Sequence, residues 1–174
     1  ARIAGLGYAV PGSVIAVGVL VPLAWVDNTL DSWLRASFGV SSGLLLSGTI
    51  TALMFAYVVR FLAVSLNTVD ASLAKVTPAM DGVARTLGMG PAATVARVHV
   101  PIISPSLLTA GLLVFVDVMK ELPATLILRP FDFNTLAVRA FELASDEQLR
   151  AAAAPALAIV AAGLIPVALL SLAI

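Results

Sequence analysis

The chain contains no cysteine, which excludes disulfides, thiolate metal sites and cysteine nucleophiles. Charge is nearly as scarce. Asp, Glu, Lys and Arg make up 11% of the 174 residues, against about 25% in an ordinary soluble domain. Ten basic and ten acidic residues cancel, so nothing points to nucleic acid as a partner. There is one histidine, and no GxxxxGK[ST] stretch that could cradle nucleotide phosphates.

What is present is apolar. Hydrophobic residues reach 60% and mean hydropathy is +1.06. They gather in four stretches, roughly 8–26, 43–64, 104–128 and 151–173. The second, GLLLSGTITALMFAYVVRFLAV, would rise roughly 33 Å as a helix, enough to cross a bilayer. The expected fold class is all-α, a polytopic helical membrane protein of about four transmembrane helices. The chain opens at Ala1 without a methionine and stops at Ile174 inside an apolar run. It is therefore expected to be a piece of a longer protein.

Small residues recur at four-residue spacing, as Gly43, Ser47 and Thr51, then Ala154, Ala158 and Ala162. Such spacing lets helix backbones approach closely, though alanine-rich helices also show it by chance. Between the spans lie polar segments at 27–42, 65–103 and 129–150. Within the middle one, Thr77-Pro78 is a helix start, with threonine at the N-cap and proline at the first helical position. Met80, Val83, Ala84 and Leu87 follow with helical spacing and form one apolar face. Gly88-Met89-Gly90-Pro91 then ends that helix and begins another running toward Pro101. Two short surface helices at an angle are expected. With 65–103 inside, the basic residues Arg2, Arg60, Lys75, Arg85 and Arg97 face Arg35, Arg129, Arg139 and Arg150 outside. Charge alone therefore leaves the orientation open.

The stretch DGVARTLGMGPAATVARVHVPIISP resembles the ATPase-docking loop of ABC importer permeases. That family's pattern runs Glu-Ala-Ala, three residues, Gly, nine residues, a branched aliphatic, one residue, Leu, Pro. Ala84 takes the second alanine, Gly88 the glycine, Val98 the branched aliphatic and Pro101 the proline. Gly82 stands at the glutamate position, Val83 at the first alanine and Val100 at the leucine, while Asp81 lies one residue before the usual acid. GYAVPGSVIAVGVL, VDVMKELPATLILRPFDFNTLAVRAFELASDEQL and PALAIV are similar more narrowly to ferric-iron importer permeases.

The resemblance implies a single transmembrane domain over 1–174 with its docking loop at 65–103, cytoplasmic and built on a type I core like that of the methionine importer. It implies the second half of a fused permease whose first helix precedes Ala1. The implied partners are a dimeric ABC ATPase subunit, the other permease half, a periplasmic or extracellular binding protein and the lipid of the cell inner membrane. No cofactor is implied, and ATP hydrolysis belongs to a partner, so the chain is a transport subunit and not an enzyme. Cargoes left open beside ferric iron are thiamine, a polyamine or an inorganic anion.

One stretch breaks the apolar pattern. VFVDVMKELPATLIL places Asp117, Lys120, Glu121 and Pro123 inside the third span. Each charge costs about 2.5–3.5 kcal/mol at the centre of a membrane helix, so three facing lipid are not sustainable. The spacing i, i+3, i+4 predicts one face carrying all three, with Lys120 paired to Asp117. Pro123 leaves the carbonyl of Met119 free and bends or breaks the helix. Two readings stand side by side: a translocation path or gate where Glu121 meets a cation, or a self-satisfied ion cluster that fixes packing. An intramembrane enzyme using Asp117 and Glu121 as paired carboxylates lacks a partner motif on a second span.

Glu142, Asp146 and Glu147 could offer oxygen ligands to a hard cation, with Glu142 and Asp146 adjacent on one helix face. A solvated outer face accounts for them more simply. His99, inside the docking loop, points to a surface or interface role and not to metal ligation, so no metal site is assigned.

Overall fold

The computed structural model describes residues 9–173. Arg2, together with Gly7 and Tyr8 of the GYAVPG run, lies outside the described residues. Among the described residues seven helices follow in order: α1 (Gly12–Phe38), α2 (Ile50–Leu73), α3 (Pro78–Thr86), α4 (Pro91–Met119), α5 (Pro123–Leu128), α6 (Leu136–Ser145) and α7 (Leu149–Ala173). No strand occurs among the described residues. Of these, α1, α2, α4 and α7 are the four among the described residues long and apolar enough to cross a membrane. The all-α polytopic architecture expected from composition is the one observed.

The boundaries differ from the apolar stretches. α1 continues through residues 27–38, because no glycine or proline interrupts it until Gly39 adopts φ 68° and closes its end. Its Asp27 and Asp31 then hold the following loop. Asp27 accepts from the backbone N–H of Leu45, Leu46 and Ser47 and from Ser47 Oγ, and Asp31 accepts from Ser41 Oγ and the N–H of Ser42 and Gly43. Gly43 and Ser47 therefore lie in a loop and form no small-residue face with Thr51.

α2 starts where Thr49 Oγ1 accepts the N–H of Thr51, and it runs nine residues past the apolar stretch to Leu73. Thr68 and Ser72 donate their hydroxyls to carbonyls one turn back, which satisfies these polar groups within the helix itself. At α7, Ala154 and Ala158 are exposed, and burial falls instead on Ala152.

α3 begins at Pro78 as expected, although the Thr77 hydroxyl makes no capping bond. Gly88, at φ 76°, closes it, with the N–H of Met89 reaching Ala84 O at 3.0 Å. The second short surface helix is not separate. The chain from Pro91 passes through a π turn at Val95–His99 and on past Pro101 into α4 without a break. The π turn explains this: Val100 N–H reaches back five residues to Val95 O, so the ladder shifts just before the proline that cannot donate.

The core joins α1, α2 and α5. Ile15, Ala16 and Val19 pack with Ala52, Leu53, Ala56, Ala124 and Leu128. Four of these eight are alanines, so the backbones come close without large side chains between them. α2 also lies along α4, and α7 packs on both α6 and α4.

Candidate functional site

The third span is broken where proline predicted. α4 ends at Met119, Lys120 and Glu121 occupy the break, and Pro123 opens α5 as its first residue. The break divides the expected charged face. Asp117 and Lys120 pair at 2.9 Å, with Lys120 largely exposed. Glu121 follows the end of the helix, and its side chain, 6% exposed, turns to α2.

There it meets Arg60 from the middle of α2. Arg60 Nε lies 3.1 Å from Glu121 Oε2. The contact is ionic: Nε is buried and does not meet hydrogen-bond geometry. Arg60 Nη1 donates to Val10 O at 3.2 Å, just ahead of α1. Glu121 Oε1 accepts the N–H of Ala124 at 3.1 Å, and so caps α5 from within the break. Gly12 makes the arrangement possible. A Cβ there would stand 2.5 Å from Glu121 Oε1 and 2.9 Å from Arg60 Nη1.

A hydroxyl pair supports the same junction. Thr125 Oγ1 donates to Glu121 O at 2.7 Å and lies 2.6 Å from Tyr57 Oη. The single threonine proton is already committed, so Tyr57 is the donor in this second bond. α2 thus holds α5 twice, by Arg60 through Glu121 and by Tyr57 through Thr125.

Arg60, Gly12, Tyr57 and Thr125 were not singled out by residue pattern. Arg60 had a legible signal, a lone cation in the middle of an apolar span, which requires a buried partner. Arg60 lies inside α2 and so does not belong with the loop charges that weigh on orientation.

In the 65–103 segment, α3 buries only Ala84 and leaves Met80, Val83 and Leu87 exposed. Gly82, Gly88 and Pro101 are exposed, and Val98 is half-buried. Asp81 does not extend outward freely: its Oδ1 lies 2.7 Å from His99 Nε2 in the π turn. This contact ties α3 to the start of α4 across a cleft of about 340 Å³ lined by Arg85, Met89, Thr94 and Val95.

The acids of the 129–150 segment do not converge. Glu142 is engaged by Arg129 at 2.9 Å and by Arg139 at 3.7 Å, and Asp146 and Glu147 end α6. Among the described residues no group of three metal-ligating side chains occurs.

Over 169 residues the chain is 32% identical to the Fe(3+)-transport system permease protein FbpB 2 of Haemophilus influenzae. The chain matches a ferric-iron transport permease. The match takes in 97% of this chain and 30% of that protein, so the chain spans under a third of its relative's length. No family model and no solved structure matches. The similarity extends over 97% of the chain, so the helix break, its Arg60–Glu121 pair and α3 lie within the matched region.

Proposed function

We propose that this chain is part of the membrane permease of an ATP-driven importer of ferric iron. The observation that carries the reading is the 32% identity extending over 97% of the chain to a protein named as an Fe(3+)-transport permease. Four helices of membrane-crossing length and apolarity fit a multi-pass protein of the cell inner membrane, fused or paired with a second permease half.

In this reading residues 65–103 face the cytoplasm and dock a partner ATPase. Asp81, Gly82, Val83, Ala84, Gly88, Val98 and Pro101 form that loop. The exposed apolar positions Met80 and Val83 on α3 and Leu87 at its C-terminal cap support it, since a helix offering such a face suits a groove on a partner. When two ATPase subunits close on ATP, the paired loops move together. The motion passes to α2 and α4, which flank α3 in sequence, and the pathway changes sides. Asp117, Lys120, Glu121 and Pro123 belong to the translocation path or its gate, where a broken helix and buried charge are tolerated only within protein or beside water. An external binding protein delivers the cargo.

The test is uptake of labelled ferric iron by the complete transporter in proteoliposomes, with its own ATPase and binding protein, and with thiamine and phosphate in parallel. Iron uptake that stops without ATP supports the reading. Uptake of another cargo removes iron, and no ATP-dependent uptake removes the importer.

A further inference from the structure

We infer that Arg60 is the positioning residue of the gate, and that the Arg60–Glu121 pair is a latch that must part for cargo to cross. The inference rests on the importer reading above. It differs from a gate formed by residues 117–123 alone, because it assigns the decisive contact to α2 and removes Glu121 as a standing cation ligand.

Four observations carry it. The pair joins three elements at one point: α2 supplies Arg60, the α4–α5 break supplies Glu121, and the strand of chain ahead of α1 supplies Val10 O. Glu121 is nearly inaccessible and both its oxygens are engaged, Oε1 by Ala124 N–H and Oε2 by Arg60. A cation could use this carboxylate only by displacing the guanidinium.

The contact is also poised. Arg60 Nε is buried yet makes no hydrogen bond, so the pair lacks the parallel two-bond geometry that makes arginine–carboxylate contacts strong. An ion pair optimised only for stability would satisfy that N–H. Finally, Gly12 admits no side chain between α1 and the pair, so any outward movement of the break opens the space where a Cβ would sit. These features describe a closed joint that can separate, located between the helices that the docking loop connects.

The experiment uses the complete transporter in proteoliposomes, and compares wild type with Arg60→Lys, Arg60→Gln and the double variant Arg60→Gln/Glu121→Gln. Three quantities are read: the amount of assembled complex, ATP hydrolysis without and with the binding protein, and uptake. The double variant leaves no unpaired buried charge and so separates gating from folding. The latch predicts normal assembly of the double variant. Its hydrolysis without binding protein rises about fivefold, the low end of ordinary coupling between sites, while uptake falls. Arg60→Lys retains a cation and stays closer to wild type. Two results overturn the inference: a double variant that assembles with uptake and binding-protein-dependent hydrolysis unchanged, or one that does not assemble at all, which makes the pair a structural tie. Wild type without ATP-dependent uptake removes the importer reading, and the latch with it.

Discussion

Asp27 on α1 and Ser47 in the next loop meet twice across twenty residues of chain: the carboxylate accepts the Ser47 N–H at 2.7 Å and its hydroxyl at 2.6 Å. With the N–H groups of Leu45 and Leu46 added, one buried acid organises the turn that leads into α2. Asp27→Asn keeps the size of the side chain but loses its charge and one acceptor. The turn should loosen while the helices persist. Hydrogen exchange at Leu45, Leu46 and Ser47 should accelerate several-fold, and unchanged exchange there would remove the assigned role.

Gly12 is a site of contact, and not of backbone freedom. Gly12→Ala pushes a methyl group into Glu121 Oε1 and Arg60 Nη1. Overpacking of this kind costs about 1–3 kcal/mol. Gly18 on the same helix has nothing within 4 Å of an added Cβ, so Gly18→Ala should be neutral or slightly stabilising. Thermal melting of the purified transporter compares the two, and equal melting temperatures would contradict the close approach.

Tyr57 and Thr125 should differ in their cost. Tyr57→Phe removes the donor to Thr125 but leaves the bond from Thr125 to Glu121 O intact, a loss of about 1 kcal/mol. Thr125→Val deprives both Tyr57 and the Glu121 carbonyl of their partner, at about 1–3 kcal/mol for each buried polar group left unmet. Denaturation of the two variants should rank Thr125→Val as the more damaging, and the reverse order would refute the bridging role of Thr125 between Tyr57 and the Glu121 carbonyl.

His99 and Asp81 join α3 to α4. His99→Ala should leave α3 formed but less firmly held, with faster exchange of amides 79–87 and reduced uptake per ATP hydrolysed. If both quantities match wild type, this contact does not transmit the motion.

Leu87, at the C-terminal cap of α3, is more exposed than Met80 or Val83, at 73%. Leu87→Asp should spare the fold and weaken retention of the ATPase about tenfold or more, as loss of an apolar anchor does at other interfaces. Co-purification of the two subunits measures it, and full retention would place the docking surface elsewhere.

By itself, the sequence determined the class of the fold and the point where it breaks. Apolar runs near twenty residues admit only helices in a bilayer, and Pro123 ends the hydrogen-bond ladder wherever it is placed. Gly88 and Pro91 likewise punctuate the loop through local backbone chemistry. Helix ends were less legible. Residues 27–38 and 65–73 are polar enough to read as loops, yet they are helical: Thr68 and Ser72 satisfy their hydroxyls on carbonyls one turn back, while Asp27 finds its partner in a loop twenty residues on.

The side chain partners of Glu121 and Asp81 were decided entirely by tertiary structure. Spacing placed Glu121 on one face with Asp117 and Lys120, and this holds only while the helix continues. Once α4 stops at Met119, the direction of Glu121 depends on what lies across the gap, and that is Arg60, 61 positions earlier in the chain. Local pattern carries information over a few helical turns. A contact between distant helices is fixed by how their small-residue faces pack, which is a property of the assembled bundle.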